Sequence, residues 1–95
     1  MRTDPERIER AVQARDRGER FRAFLDDPEI SKFFKFYESE QLEKMLAAKP
    51  TDDDARRACA LAINAMRTFR ASLSAAIVSG EMAGETLKRD VRHGR

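Results

Sequence analysis

The side chains of this chain most able to do chemistry sit close together in sequence but offer little of it. Asp52-Asp53-Asp54 clusters carboxylates of the kind a hard cation such as Mg²⁺ takes. Successive helical residues point in different directions, however, and acids in a first turn are what a helix dipole favours. The run therefore reads as a helix start. Glu38, Glu40 and Glu43 read as a solvated face. Cys59 is the only cysteine and His93 the only histidine, which excludes an intramolecular disulfide, a His-rich metal site and most catalytic triads. Cys59 lies in an uncharged run and reads as a small buried hydrophobe in a reducing compartment; His93 reads as a solvated tail residue. The chain has no Gly-rich phosphate loop, nucleophile elbow or metal-spaced His/Cys set. The expectation is a protein that is not an enzyme, with no cofactor, no catalytic or metal site and no small-molecule substrate.

Nucleic acid is the next chemistry to weigh. Lys32-Phe33-Phe34-Lys35-Phe36-Tyr37 interleaves cations with aromatics, as single-strand binders do. Phe33, Phe34 and Tyr37 fall on core positions of a helical pattern, which leaves Phe36 as the outward candidate. The basic ends supply Arg2, Arg7, Arg10, Arg15, Arg17, Lys88, Arg89 and Arg92 as an alternative phosphate-binding set. The net charge of only +2 hides mildly basic ends and a neutral to acidic middle. That is short of the basic stripe that nucleic acid calls for, and the arm arginines alternate with acids. A salt-bridged solvated helix is the favoured reading, stitched by Glu6–Arg10 and Asp16–Arg20.

The elements that carry these residues announce themselves through proline. Pro5, Pro28 and Pro50 each stand where a helix should begin. Thr3-Asp4-Pro5-Glu6 and Asp26-Asp27-Pro28-Glu29 are matching start signals, and Thr51 with Asp54 resembles a capping box. If Asp26 caps the second helix, Leu25 and Ile30 can close a hydrophobic staple. No stretch alternates as a strand does. The expected fold is all-α: an antiparallel hairpin of helices at about 28–48 and 52–79, with a charged helix at about 4–25 completing a three-helix arrangement. One domain spans 1–95. Gly18 separates two apolar clusters of the first helix and weakens it by about 1 kcal/mol, so 1–17 is expected to be a loosely docked or projecting arm. Gly80 reads as a left-handed stop, followed by a turn at 81–84 and a basic, partly frayed tail over 84–95. No apolar run approaches the ~20 residues that span a bilayer, and the chain reads as cytoplasmic, with no membrane contact.

Association is the one functional signal. From Ala58 to Gly80 only Arg67 and Arg70 carry charge. The spacing predicts a core stripe of Ile30, Phe33, Phe34, Tyr37, Met45 and Ala48 on the second helix, with Leu42 and Leu46 on an adjacent face. On the third it predicts a bulky heptad seam through Cys59, Ala62, Met66, Phe69, Leu73, Ala76 and Gly80. A second line there, Ala58, Leu61, Ala65, Thr68, Ser72, Ala75 and Ser79, is mostly small. A helix this apolar must be covered on several sides, and the rest of the chain falls short by one seam. Leu61, Ala65, Thr68, Phe69, Ser72, Leu73, Ala76 and Phe36 are the candidate protein-interface residues. The line through Leu61, Ala65, Thr68, Ser72 and Ala75 should touch either the first helix or another chain, the partner being a second copy or a larger assembly.

The layout as a whole resembles the small helical proteins of unassigned role encoded in tailed-bacteriophage and prophage structural gene modules. An arginine-rich start leads into Phe21-Arg22-Ala23-Phe24-Leu25-Asp26-Asp27-Pro28, then an aromatic-rich helix. The Pro50-Thr51-Asp52 break and a closing Ala76-Ile77-Val78-Ser79-Gly80-Glu81-Met82-Ala83 follow. The likeness covers about residues 20–88. Two departures are the absence of tryptophan and the density of arginine in residues 1–19. The resemblance implies a virion-associated or assembly-accessory protein, in the host cytoplasm or the virion. A nucleic-acid accessory protein and an inhibitor of a host protein are the alternatives.

Overall fold

The computed structural model describes residues 4–93, with side chains through residue 90. The described chain is all-helical: α1 (Pro5–Asp26), α2 (Pro28–Ala47) and α3 (Asp53–His93). The hairpin of α2 and α3 and the additional charged helix appear as the sequence predicts, and the helices start where proline places them. The capping residues are aspartates throughout. Asp4 accepts from the Glu6 amide at 3.0 Å, Asp27 from Glu29 at 2.9 Å and Asp52 from Ala55 at 3.0 Å. The caps therefore fall on Asp27 rather than Asp26, which removes the staple, and on Asp52 rather than Thr51. A carboxylate one residue before the first turn satisfies an orphan amide and meets the helix dipole as well.

Two compact units share the long helix. The first joins residues up to Phe24 with those from Ser72 onward, and the second spans Leu25–Ala71. In the second, α2 runs antiparallel to the start of α3. Phe34, Cys59, Ile63 and Met66 are its buried residues. Arg70 lays its guanidinium over the Phe34 ring, 5.2 Å from the centroid, an attraction of about 0.5–1 kcal/mol at an exposed site. Arg67 pairs with Glu38. The Arg56 guanidinium closes the connection by donating to the Lys49 and Pro50 carbonyls, both at 2.7 Å.

The first unit corrects the expected helix end at Gly80, the turn at 81–84 and the frayed tail. Neither Gly18 nor Gly80 breaks a helix: no described residue has positive φ, and both glycines are buried mid-helix. They face each other. A methyl group placed on Gly80 would stand 2.8 Å from the Ala14 carbonyl oxygen and 3.1 Å from the Gly18 Cα. One placed on Gly18 would stand 3.2 Å from the Ala76 carbonyl oxygen and from the Gly80 Cα. The two backbones thus touch: a methyl on Gly80 would force the backbone to shift, and one on Gly18 would require its neighbours to give by a few tenths of an ångström. The contact offsets the ~1 kcal/mol that each glycine costs its helix. Because Gly80 is consumed by packing, α3 continues through Glu81-Met82-Ala83, which are good helix formers, and the predicted turn at 81–84 is helix. The segment over 84–93 is also helix, not a frayed tail. Packing on α1 begins before residue 18: Ala14 and Arg15 already lie against Gly80, so the arm is docked along that stretch.

Within α3 the least exposed positions are Cys59, Ile63, Met66, Leu73, Ile77, Gly80, Gly84 and Leu87, in four-and-three spacing with Arg70 filling the remaining place. The predicted seam was right at Cys59, Met66, Leu73 and Gly80. It chose Ala62, Phe69 and Ala76 where Ile63, Arg70 and Ile77 stand. Phe69 is consequently half outside, at 51% exposure. On α2, Phe33 is 62% exposed rather than in the core, because the buried arc centres on Ile30, Phe34, Tyr37, Gln41 and Met45.

Gly80→Ala is expected to lower the unfolding free energy by about 1–3 kcal/mol, since the methyl meets rigid backbone. Gly84→Ala, where a methyl meets only the Arg15 side chain at 3.7 and 3.8 Å, should raise it by up to about 1 kcal/mol. Urea denaturation of both variants, followed by circular dichroism, checks the opposite signs.

Candidate functional site

The eight candidate interface residues divide into two sets. Leu73 is buried at 9% and Ala76 is half-buried, both inside the chain's own packing. Leu73 and Ala76 therefore leave the list of available surface. Leu61, Ala65, Thr68, Phe69 and Ser72 are exposed on α3, and Phe36 is 67% exposed on α2. The predicted small-residue line is exposed along its whole length. Ala58, Leu61, Ala65, Thr68, Ser72, Ala75 and Ser79 all lie on the surface.

On α3 this line belongs to a broader face. Leu61, Asn64, Ala65, Thr68, Ala71, Ser72, Ala75, Val78, Ser79 and Met82 are all exposed, and none is charged. At 3.5 residues per turn these positions lie opposite the buried seam. Among them Leu61 is 62%, Val78 55% and Met82 66% exposed. The predicted line runs through Ser79 and passes beside Val78, while Met82 lies beyond the expected helix end at Gly80 and joins the face only because α3 continues.

The basic residues are dispersed. Arg15 bonds Asp16 at 3.2 Å, Lys88 stands 3.6 Å from Glu85, and Arg22 pairs with Glu81 across the unit. The predicted pairs Glu6–Arg10 and Asp16–Arg20 are not formed. A shallow groove of about 250 Å³ beside Gly80 is lined by Arg15, Arg22 and Lys88, but equally by Glu19, Glu81 and Glu85. Such a lining has no net field to gather phosphate. Arg7, Arg10, Arg17 and Arg89 are exposed. Arg2 and the Arg92 side chain lie outside the described residues, as does the side chain of His93. Asp52, Asp53 and Asp54 are exposed, with Asp52 occupied as a cap and Asp53 bound to Arg56. Among the described residues, no group of three or more His, Cys, Asp and Glu side chains is placed to hold a metal ion. No described helix is long and apolar enough to cross a membrane.

Comparison with protein-family models, with curated proteins and with solved structures returned no match. The chemistry of the α3 face is accordingly the guide to function. Leu73→Asp, which puts a carboxylate into the packed seam, is expected to cost about 3 kcal/mol or more. Leu61→Asp at low micromolar concentration should stay within about 0.5 kcal/mol of the parent. Urea titration of the two variants separates seam from surface.

Proposed function

We propose that the chain is a non-enzymatic protein-interaction protein that works through the exposed face of α3, in the role of a virion-associated or assembly-accessory protein. The observation that carries this reading is the ten-residue uncharged face opposite the buried seam. Contiguous exposed apolar surface on a small protein marks a contact site. Alanine, serine and threonine in its centre let a neighbouring helix approach at the short end of the usual 8–10 Å interaxial range. The resemblance of the sequence layout to phage and prophage structural-module proteins is what favours assembly as the setting, in the cytoplasm of the host cell or in the particle. Docking by helix faces needs no cofactor and no reactive side chain.

The test is fractionation of producing cells. The chain is expected to co-purify with particles or their assembly intermediates, and Ala65→Arg should release it. Recovery of the chain solely as free protein in the infected cell would contradict the assembly role. Nucleic-acid binding that weakens steeply with salt and is lost on replacing Arg7, Arg10 and Arg17 would move the function to the basic ends.

A further inference from the structure

From the side of the hairpin that carries the Arg67–Glu38 pair, we infer that α2 and the first half of α3 dock an acidic amphipathic helix of another protein. The site lies wholly within the unit Leu25–Ala71 and is separate from the outer face of α3. The ion pair between Arg67 and Glu38 fixes which flanks of the two helices adjoin. On α2 the line of Glu38 runs through Lys35, Leu42 and Leu46 at three- and four-residue spacing, and Lys49 continues it. On α3, Asn64, Ala60 and Arg57 precede Arg67 at the same spacing. Helices packed side by side leave a trough along each flank, and these two lines border one of them.

The trough has one apolar wall. Leu46 is 87% exposed, more than any other large hydrophobic residue described, and Leu42 is 45% exposed. The opposite wall is low, with Ala60 half-buried and Asn64 exposed. Leucines one turn apart on one wall and short side chains on the other suit the ridge of a third helix, which buries both leucines as it seats.

Charge names the occupant. Lys35, Lys49 and Arg57 are exposed, and among the described residues none of the three is held by an acid. The acids on this side are both taken, Glu38 by Arg67 and Asp53 by Arg56. Glu43 and Asp54 stand on the outward arcs of their helices, past this side. Three uncommitted cations thus flank the leucines, Lys35 towards one end and Lys49 and Arg57 towards the other. The opposite side of α2 differs: Lys32 pairs with Glu29 and Lys44 with Glu40, so its exposed phenylalanines, Phe33 and Phe36, have no unbalanced charge around them. An apolar centre with a basic rim selects a partner whose rim has the reverse sign. A helix with aliphatic side chains one turn apart, and Asp or Glu on either side of them, meets both conditions.

The experiment is selection from a displayed library of helical peptides with randomised surface positions, using the full chain as bait. Enriched peptides are then titrated by fluorescence anisotropy. They are expected to carry Leu, Ile or Met one turn apart, flanked by Asp and Glu, and to bind more weakly as salt rises. Affinity should fall about tenfold for Leu46→Ser, which removes one leucine from the buried centre, and further for Lys35→Glu combined with Arg57→Glu. Both variants change exposed positions only and are expected to keep the circular dichroism of the parent. Phe36→Ser, on the other side of α2, and Ala65→Arg, on the outer face of α3, should leave binding unchanged. Loss at the trough and loss at the α3 face are thereby distinguished. Failure to enrich any peptide, enrichment of peptides without acids, or binding that survives Leu46→Ser would overturn the docking site. So would co-sedimentation of the chain with vesicles of anionic lipid that is lost in Leu46→Ser, a result that assigns this side to a membrane surface.

Discussion

The contact between Gly18 and Gly80 is the constraint on which the first unit depends. Two helices joined by side-chain packing stand apart by the thickness of those side chains. Here the backbones meet, and Ala14, Ala76 and Ile77 close around the point of contact. Around this contact α1 lies against α3 from Ala76 through Gly80 to Gly84. The contact also explains why α3 does not stop at a glycine that would be a natural end for an isolated helix. A glycine costs a helix about 1 kcal/mol, less than the loss of a packed interface, so the local preference yields to the tertiary one.

Each unit, taken alone, is two helices in contact. Such a pair has one buried stripe per helix and no means of enclosing a side chain completely, which matches the partial burial of even Phe34, Cys59, Ile63, Met66 and Leu73 at 6–9% exposure. The arrangement leaves α3 with its far side open, and that side is uncharged where an ordinary solvated helix face carries Lys, Glu and Arg. The exposed faces of α1 do carry such charges. That contrast between the two helices is what supports the proposed interaction through α3.

Much of this was legible in the sequence because its signals are local. Prolines 5, 28 and 50 mark helix starts through the missing amide, and aspartate caps follow from orphan backbone donors. The uncharged run from Ala58 to Gly80 announces a helix with two stripes, one of which is exposed on α3. The errors came where a residue's role is set by something distant. Gly18 and Gly80 looked like weak points because the contact that justifies each is more than sixty residues away. Ile63 and Ile77 were passed over for Ala62 and Ala76 because two adjacent heptad registers fit the same sequence, and only the position of the neighbouring helix chooses between them. Phe33 was assigned to the core by hydrophobicity, whereas the buried arc of α2 runs through Phe34 and Tyr37.

On the proposed interaction reading, the α3 face gains its cover, and the chain part of its stability, from a helix of another molecule. Association linked to folding makes the unfolding midpoint depend on protein concentration. Thermal unfolding followed by circular dichroism across a hundredfold concentration series tests this most directly. The midpoint is expected to climb steadily with concentration for the parent chain and to stay fixed for Ala65→Arg. A midpoint independent of concentration in the parent chain would contradict it.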